Sequence, residues 1–141
     1  MLRKGIRLAY NFRGRNTTLM KNDYFDTNIN FEKYLSEGGV SLLKQRFQDA
    51  FSPDLSINSQ QVSLAQAKVL KTALEGDTFM YRLWMEHTKI TDKETAVALA
   101  IGCNSSNIAE VMAEGAKWPN IEIRNSFLTL LKNNKSITRI S

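Results

Sequence analysis

Six cationic side chains, Arg3, Lys4, Arg7, Arg13, Arg15 and Lys21, stand in the first 22 residues with no acid among them. A cluster of that kind neutralises phosphate or meets an acidic surface. It holds the whole cationic excess of the chain. Of nineteen Lys and Arg, thirteen remain from Asp23 onward against fourteen Asp and Glu, so the formal charge of +5 belongs to residues 1–22. Three readings fit this stretch: a nucleic-acid-binding arm using Arg3, Lys4 and Arg7, an Arg-rich targeting presequence, or an extension upstream of a start at Met20. From Met20 onward fourteen cations face fourteen acids, and the charge argument for nucleic acid disappears.

The other residues able to do chemistry are few. His87 is the one histidine and has no Ser, Cys or carboxylate at a recognisable catalytic spacing, which reads as a surface or interface histidine. Cys103 is the one cysteine, so no internal disulfide forms, and with His87 it cannot furnish a metal cage. It follows Gly102 in an apolar position and reads as a small buried filler. Trp84 and Trp118 read as core aromatics. Asp92 and Glu94 are charges favoured at a helix start. No phosphate-binding glycine loop is present. No enzyme, cofactor or metal is indicated.

Apolar residues make up 43% of 141 residues, enough for one ordinary domain or a small domain with an arm. No apolar run reaches the roughly 18 to 20 residues that span a bilayer. These features fit a membrane-free protein of a reducing, cytoplasmic compartment.

The spacing of apolar residues predicts helices. "NFEKYLSEGG" (30–39) ends at paired glycines, and "VSLLKQRFQDAF" (40–51) aligns Val40, Leu43, Phe47 and Phe51. "SPDLSINSQQ" (52–61) is polar and carries Pro53, which places a linker there. "VSLAQAKVLKTALE" (62–75) is alanine-rich. Asp77 can cap "TFMYRLWMEHTK" (78–89), which is apolar around much of its circumference. Thr91 and Glu94 form a capping-box pattern before "DKETAVALAIG". "NIEIRNSFLTLLKNN" (120–134) carries Ile121, Phe127, Leu128 and Leu131. No tandem repeat and no strand pair with turn chemistry is evident. The expected fold class is all-α.

"ETAVALAIGCNSSNIAEVMA" (94–113) then carries the functional argument. Ala98 is small enough for two helix axes to cross, Gly102 accepts the positive φ of a tight turn, and Ile108 anchors a second helix. Asn104, Ser105, Ser106, Asn107 and Glu110 are left outward, and Asn104 or Ser105 can cap that helix. The pattern resembles the helix–turn–helix of the lambda-repressor and Cro superfamily, and "AEGAKWP" (113–119) is similar to the loop after its recognition helix. The resemblance covers about residues 77–133. It implies helices over 92–101 and 105–113, with Ser105, Ser106 and Asn107 near base edges of double-stranded DNA. It also implies that Thr95 and Lys117 approach phosphates, while Glu110 would face bases or phosphates. The second helix bears no Arg, Lys or Gln, which departs from a strong DNA binder.

The reading is a lambda-repressor-like bundle with an N-terminal helical extension. Its divisions are a basic arm (1–22), extension (23–51), linker (52–61), helix–turn–helix domain (62–134) and tail (135–141). Its expected role is a bacterial or phage-type transcriptional regulator binding DNA as a homodimer, paired through helix 40–51 or 62–75. The alternative is a protein-binding adaptor or inhibitor that does not touch DNA.

Overall fold

The computed structural model describes residues 28–141. The basic arm, with Arg3, Lys4 and Arg7, lies outside the described residues. A 3-10 turn at Phe31–Lys33 is followed by α1 (Gly39–Asp49), β1 (Asp54–Ser56), β2 (Gln61–Val62) and α2 (Leu64–Leu74). Then come β3 (Arg82–Trp84), β4 (Lys89–Ile90), α3 (Lys93–Asn104), β5 (Glu110–Met112), α4 (Ile121–Lys132) and β6 (Arg139–Ile140). The fold is therefore mixed α/β and not all-α.

All the strand pairing is parallel. One sheet has the order β1-β3-β5-β6 and the other pairs β2 with β4. Asp54 sits beside Arg82, and Arg82 beside Glu110, each pair 28 residues apart. Asn28 bridges Ser56, and Lys89 bridges Lys117, extending both ladders by the same step. The last step, to β6, is 29 residues. The described residues form a coil of stacked units, each contributing a short strand, a corner and a helix. A strand and a helix in each unit, stacked on its neighbours, make a solenoid-type array.

Packing explains the period. The inward strand positions are Leu55, Leu83 and Val111, then Ile57 and Met85, all buried. The helices supply Leu43, Leu70, Leu99 and Phe127 at one level, and Phe47, Leu74, Cys103 and Leu131 at the next. Each unit has one apolar stripe and cannot bury it alone, so it buries it against its neighbours. Burial pushes the Cys103 thiol up to about 12, leaving it protonated and inert. Polar side chains tie unit to unit as well. Gln60 Nε2 donates to the Ile29 carbonyl at 3.0 Å, and Thr88 Oγ1, one repeat later, donates to the Ile57 carbonyl at 2.8 Å. Asn58 Oδ1 accepts from the Glu86 amide at 2.7 Å.

The expected helix at 78–89 is instead β3 and β4 with a turn between them. Asp77 caps no helix: its Oδ2 accepts from the amides of Phe79 and Met80. The second helix of the helix–turn–helix is also missing, because residues 105–109 are turn and loop and 110–112 are β5. Gly102 is not a turn residue. It lies inside α3, where an added Cβ would stand 3.1 Å from the Lys71 Cα. Its smallness serves the close approach of α2 and α3. β1 and the start of β2 fall within 52–61. The cap of α3 is Asp92, whose carboxylate accepts from the Thr95 amide and is held below the usual carboxylate range by that bond.

The corner after each strand requires a left-handed backbone. Ser59, His87 and Gly115, one per unit, have φ of 62°, 57° and 73°. Only the third is a residue suited to it. Ser59→Gly should therefore raise stability by about 0.5 to 1 kcal/mol, the relief of αL strain less the added chain entropy. The check is a higher urea midpoint at unchanged slope; an unchanged or lower midpoint would show that Ser59 carries no strain.

Candidate protein-binding face

The alternation that sends Leu55, Leu83 and Val111 into the core sends their neighbours to the opposite face of the sheet. Parallel sheets ordinarily have both faces covered. In this one the helices stack on one another in order along the core side, and exposure on the other side is uneven: Ser56 and Met112 are buried there, while Tyr81 is exposed.

Two rows run across this open face. The first is Asp54, Arg82, Glu110 and Arg139. Arg82 is its centre: Nη1 meets Asp54 Oδ1 and Nε meets Glu110 Oε1, both at 2.7 Å. The Glu110 hydrogen bond, with help from Asp54, raises the Arg82 pKa further above an already high value. Both pairs are partly exposed, so each adds only about 0 to 1 kcal/mol to stability. Their stronger effect is positional. They hold the guanidinium 5.8 Å from the Tyr81 ring centroid and 5.9 Å from that of Trp84, within cation–π range.

The second row is Asn28, Ser56, Trp84 and Met112. Ser56 is buried and its hydroxyl pairs with Asn28 Oδ1. Met112 lies next to Trp84 and is buried, and the Ser141 hydroxyl approaches its sulfur at 3.8 Å. Tyr81 stands at the entrance to β3 and is 38% exposed. At the opposite strand ends Asn58, Glu86 and Glu114 form a third, polar line. The face thus combines two aromatic rings, a thioether and an immobilised guanidinium, ringed by carboxylates. Among the described residues no three His, Cys, Asp or Glu side chains converge as a metal site.

The residues singled out from the sequence are scattered. Thr95 is fully buried, and its hydroxyl donates to Asp92. Asn104, at the end of α3, donates to the Leu130 carbonyl and accepts from Asn134. The Ser105 and Ser106 hydroxyls donate back to the Gly102 and Cys103 carbonyls. Asn107 is exposed in the loop before β5 and its amide donates to the Asp77 carbonyl. Lys117 is exposed at the end of the second ladder. Glu110 alone lies on the open face. Tyr81 and Arg82 escaped sequence reasoning, and Trp84, expected in the core, stands half-buried on this face beside Arg82; the available signal was the in-and-out alternation of Arg82-Leu83-Trp84-Met85. Trp118 is half-buried, its ring centroid 5.0 Å from that of Phe127.

No family model matches the chain, and no curated protein or solved structure matches it either. The comparisons give no support to the DNA-binding or phage-type reading. Among the described residues no helix is long and apolar enough to cross a membrane.

Proposed function

We propose that the protein is a protein-binding module that receives a partner segment on the open face of its parallel sheet. The observation that carries this reading is the Tyr81–Arg82–Trp84 cluster on the outer face of the sheet, where Tyr81 is exposed and Arg82 and Trp84 are half-buried. Tyr, Trp and Arg are the residues that dominate binding energy at protein interfaces, and Met is enriched there as well. Repeat arrays present such extended faces to their partners.

Size and charge narrow the partner. Four strands about 4.8 Å apart make a face roughly 15 to 20 Å wide, room for one helix or one extended segment of a partner. Asp54, Glu86, Glu110 and Glu114 outnumber Arg82 and Arg139 there, which favours a basic segment over nucleic acid. An apolar or aromatic anchor on that segment would pack beside Tyr81 and Trp84.

Peptide-display selection on the full chain tests this. Selected peptides should be basic with a large apolar anchor, and Trp84→Ala should weaken them by at least about tenfold, roughly 1.4 kcal/mol. A melting curve on the variant establishes that it remains folded. Selected peptides that are acidic, or that bind equally well to Trp84→Ala and Arg82→Ala, would remove the reading.

A further inference from the structure

On the opposite side of the molecule, α2 and α3 enclose a groove of about 270 Å³. Its apolar lining is Leu64, Val97, Ala98 and Ile101, and its rim carries Lys68, Lys71 and Lys93 against Glu94. Ala98 is a buried floor residue, while Ile101 is left 42% exposed. The depression exists because Ala98 and Gly102 are small where α3 approaches α2. The neighbouring groove between α3 and α4 shares Lys93 and Val97 with it and is otherwise lined by Asn125, Ser126, Thr129 and Leu130. Lys68 and Lys71 line only the α2 side, which carries the larger cationic rim.

We infer that this groove is a second binding site, and that its occupant is an acidic amphipathic helix of a partner protein. The volume lies just below the ~300 Å³ at which small-ligand pockets begin, and the groove is open to solvent. It suits side chains presented by a rigid element better than a whole ligand. A helix supplies them at i and i+4 while lying along the groove. The charges set the rest. Lys93 begins α3 and Lys71 lies near the end of α2, so the cations bracket the apolar floor. Lys68, Lys71 and Lys93 form no ion pair among the described residues. An occupant with two apolar residues four apart, flanked by carboxylates about two turns from one another, meets all of these features. The chain's own first 22 residues, six cations and no acid, carry the wrong sign for this groove.

The test uses the full chain and two fluorescent helical peptides of roughly 16 residues, long enough to hold a helix once bound. Both carry leucines four apart, flanked by glutamates in one and by lysines in the other. The glutamate peptide should bind, more weakly as salt rises, and the lysine peptide should not. The double variant Lys68→Glu/Lys71→Glu should weaken binding by about tenfold or more, and Lys68→Arg/Lys71→Arg should keep it. Trp84→Ala should leave it unchanged, which separates this site from the sheet face. Failure of the glutamate peptide to bind, equal binding of both peptides, or indifference to the charge reversal would each overturn the proposal. So would loss of binding in Trp84→Ala.

Discussion

Leu99→Ala should lower the stability of the whole array by about 2 to 5 kcal/mol. Leu99 lies on α3, in the middle of the stack, and is 2% exposed. Truncating it removes apolar contact with α2 on one side and with α4 on the other. Three γ and δ carbons are lost, and the surrounding backbone is held by strand registers and cannot close fully around the cavity. In a quasi-one-dimensional array the stability of each unit rests on its interfaces with its neighbours. Damage to the central unit therefore weakens both of its interfaces. A denaturant titration should show one cooperative transition at a lower midpoint, with hydrogen-exchange protection reduced from α1 to α4. A loss under about 1 kcal/mol would mean that Leu99 is not part of a shared core.

Phe127→Ala should cost a similar or larger amount locally, about 3 to 5 kcal/mol, and spread differently. Phe127 occupies the same level on α4, is fully buried, and packs against Trp118. Among the described residues, α4 has a packed helical neighbour on the α3 side only. Losing this ring should release α4 and β6 while the units before them hold, because only one interface is weakened. Hydrogen exchange should then rise over roughly residues 113–141 and stay low over α1 and α2. Trp118 fluorescence reports the same event, since its ring loses its partner. Uniform loss of protection across the chain would show that the units do not behave as separable neighbours.

These two expectations follow from a repeat that was hard to see beforehand. Once the 28-residue spacing is known, Leu55, Leu83 and Val111 align, as do Val62, Ile90 and Trp118. Yet the aligned residues are of different types, and the corner position passes from Ser59 through His87 to Gly115. Each strand is two or three residues long, so it offers one or two inward side chains and no run of alternation to count. Met80 and Leu83 stand three apart and Phe79 and Leu83 four apart, which is equally a helical pattern. That coincidence made 78–89 read as helix. The helix expected over 105–113 rests instead on the resemblance carried by Ala98, Gly102 and Ile108, three positions whose spacing is equally compatible with a helix followed by a loop and a strand.

What the sequence by itself determined is what neighbours along the chain can decide. Three of the helices begin at side chains that accept a backbone N–H: Ser63, in a capping box with Gln66, Asp92 and Asn120. Each helix runs for three turns with its apolar residues at spacings of three and four, long enough for the period to show. Such contacts are made within a few residues and leave a local trace. The tertiary structure alone decided the rest. Parallel pairing joins residues 28 positions apart, and nothing within a strand of three residues specifies that partner. The stack also decided that Gly102 serves a helix contact, that Thr95 points inward, and that Trp84 faces outward beside Arg82. The physical reason is that a side chain's role here depends on which unit lies above and below it, and that is a property of the assembled array.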